Sequence, residues 1–508
     1  MGHMSLSPSE ADPSRRNFLK SSAGAAAAAV AAGISPQVMA AEESKRSGGK
    51  TNLLFILCDQ WRASAVSWED EQLRTPNLEA LAKDGVVFNR AYAANPVCTP
   101  NRSCILTGRH SHQHGMITNS LMLPPAEKCW PEVFKDAGYA THYIGKWHMD
   151  GEPKPGFVPP GWRRRGFETF EGFNRGHIYH RHWGFDNEGE PLPFERGGDP
   201  YYEPTLQAEL TMDFIREQQP KNPWACFVSW GPPHTPFNPP DSFDKYSAED
   251  IEPPANVPEA HKAKAKKELA GYYGLCESLD HELGRILKCL EEQGAAEDTL
   301  IVFTSDHGEL AGCHGKYRKG EPENESLQIP LVISHKAKIK GGRTSEVLFN
   351  SIDHFPTLLS LCGLKDPGTA TGSDLSAFVT GAKPDTEGPT SIYCEGKVTG
   401  SPAEGEKPGR AAKGKGGKAV PTAWRTIVTP ERKLTVRGSW DNVEHLFDVK
   451  ADPLEQKNLV DEAKYSDEIA ALTKQLKKMA KETGDTFPLR PLSAQKEYTE
   501  EEAATAFN

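Results

Sequence analysis

The sequence lacks the features that mark several classes of protein. Its 59 Lys and Arg side chains are outnumbered by 70 Asp and Glu, which gives a net charge of −11. A nucleic-acid or anionic-membrane binder with a basic face is therefore not expected. The 10 cysteines form no Cys-x-x-Cys pair, which argues against a zinc ribbon and a small disulfide scaffold. With 37% hydrophobic and 25% charged residues and no evident repeat, the chain has the composition of a globular protein.

The first forty residues predict an export signal rather than part of the fold. Residues 1–4 resemble a cloning scar, residues 14–20 match the twin-arginine pattern, and an apolar run follows at residues 23–34. That run is too short to span a bilayer, so no transmembrane segment is expected in the mature chain. We expect a signal peptide over residues 1–40 and a linker over 41–50. The twin-arginine translocase would deliver the protein to the periplasm or outside the cell; a disordered leader or uncleaved anchor is the alternative.

Short apolar runs alternate with helical patterns along most of the chain. Strands buried on both faces are predicted at residues 52–57, 140–144, 224–230, 299–304 and 330–334. The longest helix is predicted over about residues 266–293, where apolar residues recur on one face. This alternation predicts an α/β fold, a mostly parallel sheet flanked by helices, with ligands bound beyond the carboxyl ends of the strands. Asp59 and Asp306 each follow such a strand, so both are expected to face one crevice.

The pattern changes after about residue 385. The Gly- and Lys-rich stretch 397–420 predicts a mobile loop, with a basic patch for a polyanion as the alternative. Further elements predicted here are a short strand, a hairpin and an amphipathic helix, at residues 391–394, 424–428 with 433–437, and about 466–482. We therefore expect a main catalytic domain over residues 51–385 and a smaller α+β subdomain over residues 386–508.

The residues that carry chemistry begin at Cys98. Thr99 is suited to cap a helix and Pro100 to start it, so Cys98 is expected at a helix N-terminus. Free N–H groups at that position favour anions and lower the pKa of a thiol. Arg102, one turn later, can point back toward it. On these residues alone, Cys98 is an activated cysteine, part of an anion site, or a buried core residue.

The segment around Cys98 resembles the signature of the sulfatase family. It reads Cys-x-Pro-x-Arg followed by Leu-Thr-Gly-Arg, and other matches follow in the family's order from residue 52 to about 365, with one more in the tail between residues 446 and 459. In that family a formylglycine-generating enzyme oxidises the cysteine to formylglycine (3-oxoalanine) before the protein works. The resemblance implies an alkaline-phosphatase-like α/β fold.

Two further pairs of residues resemble the metal ligands of that family. Asp59-Gln60 and Asp306-His307 would hold one divalent cation together with the oxidised Cys98. Carboxylate and amide oxygens suit Ca²⁺. His307 stands where the family often has Asn, which leaves Mg²⁺, Mn²⁺ or zinc as alternatives. The other interpretation of the two aspartates is that they cap strand ends.

Three more elements resemble the family's sulfate-binding residues. Lys146 and His148 lie in Gly-Lys-Trp-His, His234 lies in Pro-His-x-Pro, and Lys319 stands where the family has a lysine. The resemblance implies that a hydroxyl of the hydrated formylglycine attacks sulfur. Lys146, Lys319 and Arg102 would neutralise the sulfuryl oxygens. His234 would protonate the departing alcohol, and His148 would serve as the base.

A basic and aromatic segment lies between these elements. Residues 163–165 are three arginines, and residues 177–183 are rich in histidine and aromatic side chains. The predicted substrate-binding residues are His177, Tyr179, His180 and Arg181. The arginine triplet and residues 177–183 are together interpreted as a loop that holds an anionic sugar, with Trp183 or Tyr179 stacking on a ring face; an ordinary surface loop is the alternative.

These observations predict a sulfuric ester hydrolase that acts on a sulfated carbohydrate. One alternative is a phosphonate or phosphate-diester hydrolase of the same superfamily, which turnover of phosphate esters would reveal. Another is a catalytically inactive glycan-binding relative, which an unmodified Cys98 after competent maturation would favour.

Overall fold

The computed structural model describes residues 50–181, 183–218, 222–396, 423–489 and 492–506. The predicted signal peptide and the predicted mobile loop 397–420 lie outside these residues, as does the predicted linker except for Lys50. Lys50–Asn508 group into one compact unit.

Strands and helices alternate through this unit. The strands are β1 (Asn52–Asp59), β2 (Gly85–Phe88), β3 (Ala91–Tyr92), β4 (Ala140–Lys146), β5 (Thr169–Phe173), β6 (Trp224–Pro233), β7 (Thr299–Ser305), β8 (Leu331–Ser334), β9 (Arg343–Ser345), β10 (Phe349–Asn350), β11 (Ile392–Gly396), β12 (Trp424–Val428), β13 (Arg432–Arg437) and β14 (Val443–Asp448). The α-helices are α1 (Pro76–Lys83), α2 (Cys98–Thr107), α3 (Ser111–His114), α4 (Trp130–Asp136), α5 (Glu203–Glu217), α6 (Glu259–Glu292), α7 (Asn324–Leu327), α8 (His354–Leu361), α9 (Ser376–Val379), α10 (Ser466–Thr483) and α11 (Glu500–Ala506).

The large sheet has eight strands in the order β5-β4-β6-β1-β7-β8-β2-β9. Strand β1 pairs in parallel with β6 and β7, whereas β8 runs antiparallel to its two neighbours. Along β1, Leu53, Phe55 and Leu57 belong to one hydrophobic cluster, and the alternate residues Leu54 and Ile56 belong to the other. Because successive side chains of a strand point to opposite faces, β1 is buried on both sides. The predicted mostly parallel sheet flanked by helices is confirmed.

The long helix α6 begins earlier than predicted. It starts at Glu259 rather than near residue 266, and ends at Glu292. Its first two turns are largely exposed and contain Ala, Lys and Glu, so they carry no apolar face that could mark them in the sequence. The predicted strands, by contrast, lie within three residues of the observed ends. Strands β1 and β4 continue past their apolar runs to the buried polar residues Asp59 and Lys146.

The small sheet follows the predicted hairpin. Strands β11, β12, β13 and β14 form an antiparallel sheet in that order, with Val428 opposite Lys433 at the turn. Its own hydrophobic cluster includes Ile427, Leu434 and Leu476 of helix α10. The small sheet also contacts the loop after β7, where Trp424 Nε1 donates to the carbonyl oxygen of Gly320 at 3.0 Å.

Two further findings concern the helices and the cysteines of the described residues. Within them, no helix combines the length and the apolar character needed to cross a membrane. The ten cysteines all lie in this part of the chain, and each is buried as a free thiol.

Candidate active site at the carboxyl edge of the large sheet

Four neighbouring parallel strands, β4, β6, β1 and β7, bring the predicted residues to one edge of the large sheet. Strand β1 ends at Asp59 and β4 at Lys146, while His234 and Asp306 directly follow β6 and β7. The carboxyl ends of parallel strands are the usual position of a ligand site in an α/β sheet. The topology therefore gathers side chains that are up to 247 positions apart in the chain.

Cys98 is the first residue of helix α2, and Val97 before it is extended. The prediction that Thr99 caps this helix is wrong, because its hydroxyl donates instead to the carbonyl oxygen of His148 at 2.6 Å. The expected lowering of the thiol pKa is also wrong. Burial, together with the Asp59 carboxylate, raises the pKa of Cys98 to about 12. Desolvation thus outweighs the helix N-terminus.

A compact set of ligand atoms surrounds the Cys98 sulfur. Sγ lies 3.5 Å from Asp59 Oδ1 and 3.3 Å from His307 Nε2. His307 Nε2 is in turn 3.4 Å from Asp306 Oδ1. Because His307 Nδ1 donates to the carbonyl oxygen of Gly308 at 2.9 Å, the Nε2 lone pair faces the carboxylates. These four side chains are buried, and one atom from each lies within 4.8 Å of the others.

Arg102 lies behind the two carboxylates. Its Nε donates to Asp306 Oδ2 at 2.9 Å and its Nη2 to Asp59 Oδ2 at 3.1 Å. Nη1 donates to the carbonyl oxygen of Lys146 and to Ser229 Oγ. Burial alone would raise the pKa of Asp59, but Lys146 and the other cations outweigh it and hold that pKa well below its usual value. The structure therefore directs Arg102 to the aspartates, whereas the sequence suggested that it points toward Cys98.

Gln60 completes the possible ligand set. Its backbone N–H donates to Asp306 Oδ1 at 3.1 Å, and its φ of 72° is unusual for a residue with a side chain. Its Nε2 donates to Glu309 Oε2, whereas Oε1 is buried with no hydrogen-bond partner in the described part of the chain. Gln60 is bonded through its backbone to Asp306, and an unpartnered buried amide oxygen on such a residue fits a divalent cation, because a bound ion would satisfy it.

Two further cations face the same crevice. Lys146 Nζ donates to Asp59 Oδ2 at 2.5 Å, and Lys319 Nζ donates to Cys98 Sγ at 2.9 Å. With Arg102 they give three positive side chains against the two aspartates. The site is locally positive although the whole chain is acidic, as expected for a protein whose substrate is an anion.

His234 and His177 lie face to face beside Lys146. Their ring centroids are 3.5 Å apart at an interplanar angle of 7°, and His177 Nε2 is 3.0 Å from Lys146 Nζ. His234 Nδ1 donates to the carbonyl oxygen of Thr235 at 2.7 Å, which leaves Nε2 as the nitrogen that can act on a ligand. Burial lowers the pKa of both imidazoles well below the ordinary value. A buried imidazole whose pKa is lowered in this way is neutral at neutral pH.

His148 is held in an unusual conformation near the same site. Its φ is 61°, and it is only 5% exposed. Among the described residues, neither of its ring nitrogens has a hydrogen-bond partner. Burial, then Lys146, lowers its pKa well below the ordinary value. A neutral, unpartnered imidazole is able to accept a proton.

The predicted substrate segment divides into buried and exposed residues. Tyr179 is buried, and its hydroxyl donates to the carbonyl oxygen of His234 at 2.7 Å. Trp183 donates to Glu203 Oε2, and its ring fills the space beside Gly176. The structure thus gives these two aromatic residues packing roles rather than the predicted sugar stacking. His180 and Arg181 are exposed, and His180 Nε2 lies 2.9 Å from the carbonyl oxygen of Asn238.

The three consecutive arginines do not form a basic face for substrate. Arg164 is buried and donates to the carbonyl oxygens of Val158 and Asn187. Arg165 is buried as well and donates to the carbonyl oxygen of Pro125, while Arg163 pairs with Asp150. The interpretation that this triplet holds an anionic sugar is corrected: the guanidinium groups of residues 163–165 bind other parts of the chain.

Sequence reasoning missed two supporting residues. Ser229 Oγ accepts from Arg102 and donates to the carbonyl oxygen of Lys146 at 2.7 Å. Glu309 accepts from Gln60 Nε2 at 2.6 Å. Ser229 lies inside an apolar strand, where nothing marks it, whereas the position of Glu309 directly after Asp306-His307-Gly308 was an available signal.

Comparisons with known proteins agree with this geometry. Residues 51–364 match the sulfatase family model, and residues 12–32 match the model of the twin-arginine translocation pathway signal sequence, which confirms the predicted export. An ulvan-active sulfatase of Formosa agariphila is 32% identical over 87% of this chain and 83% of its own length. An N-acetylglucosamine-6-O-sulfatase of Bacteroides thetaiotaomicron is 27% identical over 88% of each chain.

Solved structures of related proteins have the same fold as this chain. A putative sulfatase, yidJ, from Bacteroides fragilis superposes with a TM-score of 0.75 at 26% identity, covering 86% of this chain and 97% of that one. A phosphonate monoester hydrolase of Agrobacterium radiobacter gives a TM-score of 0.67 at 23% identity, covering 85% and 96%. The family match spans the cluster around Cys98 and both aspartates. On these grounds the chain belongs to the sulfatase family and is an exported enzyme that hydrolyses sulfate esters.

Proposed function

We propose that this sulfatase removes sulfate from a sulfated carbohydrate, using formylglycine made from Cys98 by a formylglycine-generating enzyme. The observation that carries the proposal is the position of the Cys98 sulfur, within 3.5 Å of Asp59, His307 and Lys319. As a thiol with a raised pKa, Cys98 is protonated at neutral pH, which disfavours direct attack by sulfur. This argues for an oxidised residue at position 98.

The residues present fit one divalent cation. Asp59, Asp306, His307 and Gln60 Oε1 would hold it, with the residue at position 98 as a further ligand. Three oxygen donors favour Ca²⁺, although the imidazole also suits Mn²⁺. Together, the cation and the oxidised residue would supply an activated hydroxyl as the nucleophile.

The chain's own cations would bind the sulfate group. Lys319 Nζ lies 2.9 Å from the Cys98 sulfur, and Lys146 Nζ contacts Asp59 Oδ2 and His177 Nε2. Positive groups fixed in a buried site stabilise charge on the sulfuryl oxygens without reorganising at the moment of reaction. Arg102 contributes by pairing with both aspartates and holding them in place.

The leaving group needs a proton, and His234 is placed to give it. Its Nδ1 hydrogen is engaged by Thr235, so a proton on Nε2 would pass to the ester oxygen as the sulfur–oxygen bond breaks. Bound sulfate would offset the charges of Lys319 and Lys146, which are among the causes of the low pKa of His234. His148 would accept a proton when sulfate leaves. Overall, one water is consumed, and an alcohol and sulfate are released.

A sulfated carbohydrate is favoured over a small aryl ester for two reasons. The relative named as ulvan-active sulfatase is 32% identical over 87% of this chain, whereas an arylsulfatase of Clostridium perfringens is 27% identical over 84%. In the structure, His180 and Arg181 are exposed, and they follow His177, whose ring stacks on His234. These polar side chains would contact the hydroxyl and anionic groups of the sugar.

Two measurements test the proposal. Peptide mass spectrometry of the segment around Cys98, after expression with a formylglycine-generating enzyme, should give the mass of an aldehyde in place of the thiol. Activity should then appear on at least one member of a panel of defined sulfated oligosaccharides. Faster turnover of phosphate or phosphonate esters than of sulfate esters with the same leaving group would overturn the proposal, and an intact thiol in fully active protein would overturn its mechanism.

A further inference from the structure

We propose that Glu309 is a positioning residue that fixes the side-chain amide of Gln60 with its oxygen toward the cation and, through the same carboxylate, anchors the backbone next to Lys319. The first part rests on the proposed function, since it concerns the divalent cation. Glu309 is fully buried, and neither the family signature nor the proposed chemistry uses it.

The contacts of Glu309 divide between its two oxygens. Oε2 accepts from Gln60 Nε2 at 2.6 Å, and the Arg318 guanidinium lies 3.7 Å from it. Oε1 accepts from the backbone N–H groups of Ala311 and Arg318, each at 2.7 Å. Both oxygens therefore act as acceptors toward groups from different parts of the chain.

This arrangement sets the orientation of the Gln60 amide. A carboxylate can only accept hydrogen bonds, so it selects the NH₂ end of the neighbouring amide. The carbonyl end, Oε1, is then left buried without a partner among the described residues, which is the state that a cation ligand needs. The reverse orientation would set two oxygens against each other at hydrogen-bond distance and turn an NH₂ group to the cation. Glu309 therefore decides which atom of Gln60 faces the metal.

The Glu309 carboxylate also fixes the backbone directly before Lys319. Arg318 has a φ of 70°, a left-handed conformation that residues with side chains rarely adopt. Its N–H is bound by Glu309, and its carbonyl oxygen accepts from Leu310 N at 2.8 Å. The next residue, Lys319, reaches the Cys98 sulfur. One buried carboxylate thus ties a metal ligand to a sulfate-binding lysine.

Exchanging amide and carboxylate between the two positions tests this role. In Glu309→Gln the new NH₂ group faces the NH₂ of Gln60, so we expect Ca²⁺ affinity to fall about 10–100-fold, as for other residues that orient metal ligands. Gln60→Glu alone sets two carboxylates against each other, so this variant should also bind Ca²⁺ more weakly than wild type. The double variant Gln60→Glu/Glu309→Gln restores one donor facing one acceptor, and should recover Ca²⁺ affinity to within about fivefold of wild type. Isothermal titration calorimetry on the metal-stripped full chain measures this without substrate.

Two further variants keep the test decisive. Glu268→Gln changes the carboxylate that pairs with the outer side of Arg318, and it should leave Ca²⁺ affinity unchanged. In a Gln60→Met background no amide remains to be oriented, so adding Glu309→Gln should lower Ca²⁺ affinity by less than about threefold. This comparison holds even if the variants differ in stability, because thermal unfolding in a chelator reports folding separately.

The outcomes separate this proposal from the proposed function. Wild-type Ca²⁺ affinity in Glu309→Gln, or a double variant no better than the worse single variant, would overturn the role of Glu309 while sulfate ester hydrolysis stands. A wild-type chain that binds no divalent cation would overturn the metal centre first and this role with it.

Discussion

Two buried clusters of charge differ in how completely their polar atoms are paired. In the cluster at the edge of the large sheet, Gln60 Oε1 and both ring nitrogens of His148 lack hydrogen-bond partners among the described residues. In the cluster between helix α3 and the small sheet, which we term the junction cluster, His112 bonds to Glu395. Arg425 donates to Asp485 and forms an ion pair with Glu395.

The difference indicates what each cluster is for. A buried polar atom without a partner costs about 1–3 kcal/mol, so it persists where a ligand supplies the missing bond. Gln60 and His148 also have positive φ angles, a form of strain that concentrates at functional sites. The junction cluster pairs its acids with Arg425 and His112 and connects two parts of the fold. We therefore expect variants of the first cluster to change turnover and variants of the second to change stability.

The largest effect is expected for Cys98→Ala. Removing the residue that we propose becomes the nucleophile should lower kcat by at least about 10⁴-fold, while the free energy of unfolding changes little. Cys104→Ala, on the same helix, is the matched control, since it removes a buried thiol outside the ligand cluster and should keep most activity. Sulfate release assays and urea unfolding measure both quantities. Comparable kcat losses in the two variants would contradict the comparison.

Arg425→Met should have the next largest effect, on stability. The change leaves Glu395 and Asp485 buried without their cation, which typically costs about 3–5 kcal/mol. Urea denaturation measures the loss, and kcat/KM of the folded enzyme should stay near wild type. Lys477→Met, which breaks an exposed ion pair with Asp441, should change stability by less than about 0.5 kcal/mol. A stable Arg425→Met variant would show that the junction cluster does not support the fold.

His234→Ala should show whether His234 protonates the leaving group. Sugar sulfates need a proton on the departing oxygen, so their kcat/KM should fall about 10²–10³-fold. 4-Nitrophenyl sulfate, whose leaving group needs no proton, should lose less than about tenfold. Equal losses on both substrates would remove His234 from the acid role and assign it to sulfate binding.

The smallest effect concerns the pH dependence of the junction cluster. Burial alone would lower the pKa of His112, but the Glu395 carboxylate, 3.1 Å from Nδ1, outweighs it and raises that pKa above the ordinary value. A group with a raised folded-state pKa stabilises fully below its unfolded pKa, and the contribution is lost as the pH rises through the folded pKa.

We therefore expect His112→Gln to lower the free energy of unfolding by about 1–2 kcal/mol at pH 6. This deficit should shrink as the pH rises above 6. Thermal unfolding from pH 5.5 to 8.5 checks the sign, with His180→Gln as a control at an exposed histidine. A deficit that grows with pH would contradict the assignment of charge to His112.

Much of the fold was predictable because local and global signals agree. The apolar runs of β1, β4, β6 and β7 are almost wholly buried, so they locate these strands to within three residues of their ends. The strand ends then bring Asp59 and Asp306 together by topology alone. What the sequence could not show was the start of α6, where exposed turns carry no periodic pattern.

The chemistry of the site was less predictable than its position. The motifs indicated Cys98 at a helix start, but not that burial and Asp59 raise the pKa of its thiol. Runs of basic residues suggested a substrate surface, whereas Arg164 and Arg165 are buried by contacts to distant carbonyl groups. Such roles depend on which backbone groups lie within reach, and this is decided by tertiary structure rather than by local pattern.

The hydrogen bond from Trp424 to Gly320 joins a segment outside the family match to a segment inside it. The match ends at residue 364, yet Trp424 holds the residue that directly follows Lys319. Chimeras that exchange the tail between sulfatases are therefore expected to shift Lys319, the proposed sulfate-binding lysine, without changing any signature motif. The packing of this C-terminal segment is thus expected to affect turnover, although a motif search would overlook it.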